Sequence, residues 1–381
     1  MTESATRTEA PVVLIDEVRT RSGHRIGVAT LNSEKTLNSL SLPMIEVLIP
    51  QLRAWRERRD IVMVLLRGAG DRAFCAGGDI QALYRSMRAN HAAGRIVDGY
   101  ADAFFEAEYR LDHALHVYPK PVLALGHGVV MGGGLGLYSA SRYRLVTDRS
   151  RIAMPEVTIG LFPDAGASWI LKRLPRAVAL YLAATGSNLD AGDALAIGVA
   201  THAVRADAWQ PLVGALADLD WRGDASDAAG IERCLERVRS TPAPGPLARN
   251  AKLIQACLST WPESPAALAS AIDGLASADP WLARGAQSLR RGCPTSVGIV
   301  LEQIRRVAAL DLPHCFEMEL VVATHCARNA DFAEGVRALI VDKDNAPKFR
   351  FGSVEALDPA HVLAHFAPPW RENPLHDLEV S

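Results

Sequence analysis

The chain has 381 residues, is 49% hydrophobic and 22% charged, and carries a formal net charge of −2. Its apolar content can bury a large core, and its length suggests two domains or one domain with a substantial extension. The near-neutral balance offers no basic field for nucleic acid or an anionic membrane, and no apolar run is long enough to span a bilayer.

Met1 to Pro11 is Ser/Thr-rich with mixed charge. It has no apolar stretch and no clear Arg-rich amphipathic pattern, so neither a signal nor a transit peptide is expected. His24 to Leu31 reads as a strand, Leu42 to Arg58 as an amphipathic helix, and Ile61 to Arg67 as a β-branched strand covered on both faces. Asp79 to Arg88 reads as a helix capped by Asp79, and Tyr100 to Val117 as a longer helix. Pro121 to Leu125 is another buried strand, after which Gly132 opens a helix. Tyr143 to Thr147 and Ile152 to Met154 are short strands. This alternation predicts an α/β layered core.

After about residue 205 the pattern turns helical, over Ala228 to Val238, Arg249 to Leu258, Ala266 to Ala276, Val297 to Ala309 and Phe316 to Ala327. Pro242-Ala243-Pro244-Gly245-Pro246 and Asp279-Pro280 interrupt it, and Val336 to Val341 fits a strand or a helix. The expected organisation is a core over 1–205 and a mostly helical region over 206–381 with no visible catalytic constellation. Six cysteines (Cys75, Cys234, Cys257, Cys293, Cys315 and Cys326) form no CxxC pair and scatter through apolar segments, which points to reduced thiols in a cytoplasmic protein. His314-Cys315 and His325-Cys326 lack finger spacing, so no metal site is expected.

Three segments carry chemistry. Met154 to Gly166 places Glu156 and Asp164 eight residues apart across a Pro/Gly-punctuated turn, with a helix-forming run from Ser168 to Leu174 behind it. Two acids in one apolar pocket can have their pKa values pushed apart, making one an acid and the other a base. The rival reading is a capped turn with Asp164 near a helix N-terminus. Ala73-Phe74-Cys75-Ala76-Gly77-Gly78-Asp79 and Met131-Gly132-Gly133-Gly134-Leu135-Gly136 each follow a strand and precede a helix. Each offers free N–H groups at a strand end, and two such loops face to face can hold an oxyanion. A phosphate loop is disfavoured, because Gly134-Leu135 stands where Lys-Ser/Thr is needed. No dinucleotide fingerprint and no GxSxG elbow occur at these positions. Glycines that merely allow helix–strand packing are the bland alternative.

Together these residues resemble the crotonase (enoyl-CoA hydratase/isomerase) superfamily, through Ala73 to Ile80, Lys120-Pro121-Val122, Gly128, Gly132-Gly133-Gly134 and Met154-Pro155-Glu156. Within it the chain is most similar to the 3-hydroxyisobutyryl-CoA hydrolases. Gly136 stands where hydratases carry their first catalytic glutamate, and Asp164 where they usually carry glycine. Asp331 to Asp344 and Cys293-Pro294-Thr295-Ser296 also look like that subgroup. The resemblance implies a spiral of ββα units followed by a helical region. It also implies catalytic Glu156 and Asp164, and an oxyanion hole from the N–H groups of Ala76 and Gly133. CoA runs along Gly77, Gly78 and Asp79, and Glu108 contacts the substrate, its alternative being a solvated helix residue. The sequence departs from the subgroup at Gly166-Ala167-Ser168-Trp169, where a glycine run is usual, and the added side chains would narrow the acyl pocket. The implied reaction is hydrolysis of a short branched 3-hydroxyacyl-CoA, with no metal or redox cofactor and with coenzyme A as part of the substrate. A homo-oligomer is implied as well. The alternatives are an enoyl-CoA hydratase or isomerase, and a non-enzymatic acyl-CoA binder.

Overall fold

The computed structural model describes residues 10–379. The leader-free reading of Met1 to Pro11 falls mostly on residues 1–9, outside the described residues. Among the described residues, nine strands form two sheets. β1 (Val13–Arg19), β2 (Arg25–Leu31), β3 (Ile61–Gly68), β5 (Val122–Gly126), β7 (Tyr143–Val146) and β9 (His202–Ala203) form a six-stranded sheet in that order. Only the β1/β2 pair is antiparallel. β4 (Ala73–Cys75), β6 (Val129–Met131) and β8 (Arg151–Ala153) form a small parallel sheet. Each pass of the chain leaves one strand in each sheet: β3 then β4, β5 then β6, β7 then β8. This is the expected spiral of ββα units, and its parallel strands are apolar and buried, as strands covered on both faces must be.

The spiral builds the site by register. Val130 pairs with Cys75 on one side and Ile152 on the other, and Met131 pairs with Ala153. The three strands therefore end level. The loops that follow, at Ala76–Asp79, Gly132–Gly133 and Met154–Glu156, emerge side by side at the carboxyl end of the sheet, where ligands bind in parallel α/β sheets.

Helices make up the rest. One apolar core runs from Val13 and Leu31 through Phe104, Phe162 and Tyr181 to Val300, Phe332 and Leu375, so it is continuous across residue 205. A second core on the other face of the large sheet joins Ile26, Leu65 and Leu145 to Leu212, Trp221 and Leu235. Several helical boundaries differ from expectation. Asp279-Pro280, read as an interruption, starts the helix Pro280–Arg291, in which Asp279 accepts the Trp281 N–H at 2.7 Å. Proline at the first helical turn lacks only an N–H that would have had no partner. Val336 to Val341 is the end of the helix Ala330–Val336 running into a π-turn over Arg337–Val341.

Close backbone approach sets the glycines of the second loop. A Cβ at Gly134 would overlap the Cys75 carbonyl oxygen and lie 2.6 Å from the Cys75 Cβ. Gly134→Ala should therefore force β4 away from the helix Gly133–Ala140, at a cost of about 1–3 kcal/mol. The expected result is a lower midpoint of thermal unfolding than wild type. An unchanged midpoint would mean that the two segments are not held at this distance.

Candidate active site

The three loops enclose a cavity of about 240 Å³. Their backbones touch: a Cβ at Gly132 would lie 3.2 Å from the Gly77 Cα. Among the described residues the amides of Gly78 and Gly133 have no hydrogen-bond acceptor, and Gly133 begins the helix Gly133–Ala140. The Ala76 amide is not free. It donates to the Leu37 carbonyl at 3.1 Å. The expectation that Ala76 supplies an oxyanion donor is thus corrected, because an N–H bound to a backbone carbonyl is unavailable to a ligand. Gly77 and Gly78 carry the unpartnered amides of that loop, and the carboxyl of Glu108 lies beside Gly78 and Gly133.

Five carboxyl groups are buried around this cavity: Glu108, Asp112, Glu156, Asp164 and Glu319. Glu108 and Asp112 come from the helix Tyr100–His116, one turn apart. Glu156 opens a short 3-10 turn after β8. Glu319 comes from the helix Leu312–Arg328. No Lys or Arg pairs with any of them among the described residues. The nearby His116 is held neutral, its pKa pushed down to about 3 by burial. Burial raises Glu156 well above the usual carboxylate range, with Asp164's charge adding to it. Glu108 and Asp112 are raised likewise, first by burial and then by neighbouring acids. Glu319 is pushed up to about 8 by burial, opposed by the amides it binds. Asp164 rises only to about 6, because the Tyr109 hydroxyl donates to its Oδ2 at 2.7 Å and offsets part of the burial. The two acids singled out by spacing thus sit in unequal environments, as acid–base chemistry requires.

The turn carrying Asp164 is strained. Ala165 has φ 52° and Gly166 has φ 81°. A left-handed alanine costs of order 1 kcal/mol and persists only where its surroundings hold it. Here they do. Glu319 accepts the Gly166 and Ser168 N–H groups at 2.7 and 2.8 Å. Gln303 donates to the Pro163 carbonyl at 2.6 Å and to Ser168 Oγ at 2.9 Å.

Glu108, Glu156, Asp164, Gly77, Gly78 and Gly133 all line the cavity, so the solvated alternative for Glu108 does not hold. Asp79 does not line it; its carboxylate caps the helix Ile80–Ala93 by accepting the Ala82 N–H at 3.0 Å. The side chains of Ala167 and Ser168 do not narrow the pocket as expected. Both are buried away from it, Ser168 against Gln303. Tyr109, Asp112, Gln303 and Glu319 were not anticipated. Their signal lay in helical spacing: acids at 108, 112 and 319 interrupt stripes of Phe104, Leu111 and Leu115, and of Phe316, Leu320 and Ala323. At Gly136, where the resemblance puts a hydratase's first glutamate, the carboxyl of Asp112 fills the adjoining space. A Cβ there would overlap Asp112 Oδ2 and lie 2.9 Å from the Ala165 carbonyl oxygen.

A family model described as Enoyl-CoA hydratase/isomerase matches residues 26–366. The chain is 36% identical to the mitochondrial 3-hydroxyisobutyryl-CoA hydrolase of Danio rerio over 328 residues, 86% of this chain and 83% of that protein. It is 34% identical to 3-hydroxyisobutyryl-CoA hydrolase 1 of Arabidopsis thaliana over 355 residues, 92% of this chain and 91% of the other. Among solved structures it resembles a carnitinyl-CoA dehydratase from Mycobacterium thermoresistibile, with TM-score 0.84 and 32% identity, covering 97% of this chain and 100% of that one. It also resembles an enoyl-CoA hydratase from Rhodobacter sphaeroides 2.4.1, with TM-score 0.79 and 31% identity, covering 94% and 98%.

The raised carboxyl groups have a stability consequence. Such groups keep protons in the folded state that the unfolded chain releases, so stability is lost as pH rises from the ordinary carboxylate range toward the raised values. Each unit of upward shift destabilises by about 1.4 kcal/mol above both values. Asp112 has no hydrogen-bond partner on either oxygen. Asp112→Asn should therefore unfold at a higher temperature than wild type near about pH 8, with the gap closing toward about pH 4. A gap independent of pH would show that Asp112 is not held protonated.

Proposed function

The chain belongs to the enoyl-CoA hydratase/isomerase family, and from that premise we propose that it hydrolyses a short branched 3-hydroxyacyl-CoA, of the 3-hydroxyisobutyryl-CoA kind, to the free acid and CoA. The observation that carries the reading is the arrangement around position 136. Where the resemblance puts a hydratase's first glutamate there is a glycine, and the carboxyl of Asp112 occupies the adjoining space. The acids left facing the cavity are Glu108, Glu156 and Asp164. The names of the 33–36% identical relatives support the same substrate class.

In this reading the thioester carbonyl oxygen lies between the N–H groups of Gly78 and Gly133, where negative charge develops as the carbonyl is attacked. Each such donor is typically worth about 10²–10³ in rate. Glu156, with Oε2 unpartnered, takes a proton from water as it attacks, or attacks itself to give a mixed anhydride that water then opens. The C–S bond breaks and the proton taken from water passes to the CoA sulfur. Asp164, steadied by Tyr109, receives the 3-hydroxyl of the acyl chain. A site built to bind a hydroxyl disfavours acyl groups without one, because its buried polar group is then left unpaired. The reaction calls for no metal or redox group, and coenzyme A enters with the substrate. Glycines 77 and 78 offer the path for the CoA arm. Hydration of an enoyl-CoA is the second reading, and the names of the two solved structures favour it.

No helix among the described residues is long and apolar enough to cross a membrane. A cytoplasmic location is proposed on the six free cysteines, although the vertebrate relatives are named as mitochondrial. A homo-oligomer is proposed from the family resemblance.

Two outcomes follow. Glu156→Gln should lower CoA release from 3-hydroxyisobutyryl-CoA by about 10²–10⁴ with little change in KM, as expected when a base or nucleophile is removed from an intact site. A change in KM alone would make Glu156 a binding residue. Because Glu156 must be ionised and its pKa is raised, wild-type thiol release should increase with pH through a limb well above the ordinary glutamate range. If crotonyl-CoA is hydrated efficiently while no hydroxyacyl-CoA releases thiol, the second reading replaces the first.

A further inference from the structure

Among the described residues, every side-chain anchor on the Asp164 turn except Tyr109 comes from the C-terminal helices. The carboxyl group of Glu319 spans two amides, that of Gly166 inside the left-handed pair and that of Ser168 just after it. Gln303, in the helix Pro294–Val307, holds the carbonyl that precedes Asp164 and the hydroxyl of Ser168. Both residues are fully buried, and neither lines the cavity. They cannot touch a substrate, yet between them they fix both ends of the stretch from Pro163 to Ser168 that aims Asp164.

We propose that Glu319 is a positioning residue: it holds the Ala165–Gly166 turn in its left-handed conformation, and so sets the distance of the Asp164 carboxylate from the 3-hydroxyl of the acyl chain. The helical half of the chain is then part of the specificity machinery. The inference rests on the hydrolase reading and deepens it. A helix-capping role alone is the competing explanation, since Glu319 also binds the first turn of the helix Ala167–Arg173. The two differ in what they leave unchanged. Loss of a cap lowers stability and treats all substrates alike. Loss of the aim at one hydroxyl affects only substrates that carry it.

The test uses the full chain and two thioesters, 3-hydroxyisobutyryl-CoA and isobutyryl-CoA, which differ by that hydroxyl. Glu319→Gln keeps the shape, but its amide nitrogen faces a backbone N–H, so one of the two anchors is lost. The wild-type preference for the hydroxylated thioester, as a ratio of kcat/KM values, should fall by about tenfold or more, with isobutyryl-CoA turnover nearly unchanged. Adding Ala165→Gly should restore part of the ratio, because glycine adopts the left-handed conformation without strain. An unchanged ratio with only a lower unfolding midpoint would overturn the proposal, as would a lost ratio that Ala165→Gly does not improve. If Glu319→Gln does not fold, Gln303→Met loosens the same turn from its other end. It should reduce the same ratio, and an unreduced ratio overturns the proposal. Absence of thiol release from either thioester in the wild type would instead overturn the hydrolase reading itself.

Discussion

Five carboxyl groups share one interior with no paired cation among the described residues, and the rest of the site depends on that. Ionising several of them together inside a low-dielectric core is prohibitive, so the cluster holds protons at neutral pH. A buried neutral acid can donate a hydrogen bond, and a buried ionised one next to neutral acids is a strong base or nucleophile. The structure separates the roles by neighbours. Tyr109 favours the ionised form of Asp164, two backbone amides favour that of Glu319, and one oxygen of Glu156 is left with no partner at all. Asp112 has only burial and other acids around it, which favours its neutral form.

The spiral fold supplies the frame for these acids, and the helices supply most of them. Three short parallel strands in register deliver two glycine loops and Glu156 to one edge. That geometry is a property of backbone and leaves little room for side chains: added Cβ atoms at Gly132, Gly134 and Gly136 would meet other loops or acids at short distance. Acidity is then brought in from the helices Tyr100–His116 and Leu312–Arg328, which pack against each other through Phe316 and Tyr109. The same apolar core covers both, and the C-terminal helices hold the Asp164 turn as well as adding mass.

Much of this was legible in the residues, and what was not has physical reasons. The buried strands at 61–68 and 122–126 announce themselves as apolar runs, whereas β1 is an exposed edge strand, VLIDEVR, with apolar and charged residues on both faces and therefore no period of two. The spacing of Glu156 and Asp164 and the place of Gly133 at the head of a helix single out three residues that line the cavity. Ala76 is a different case, because sequence shows which segments are glycine-rich but not which amide a distant carbonyl already binds. Leu37, the residue that binds it, is 39 positions away. Glu319 is hidden for the same reason: its partners, Gly166 and Ser168, lie more than 150 residues earlier. Its position on an apolar helical stripe was visible, but the turn it holds was not.

Burial and neighbouring acids keep Asp112, in contrast to the surface acids, protonated at neutral pH. Infrared absorption of the carboxylic acid C=O stretch tests it most directly, because ionised carboxylates do not absorb there. The expected result is a protonated-carboxyl band that persists at about pH 7, well above the ordinary carboxylate range, and that loses intensity in Asp112→Asn. Complete loss of the band by about pH 6, as for solvated acids, would contradict it.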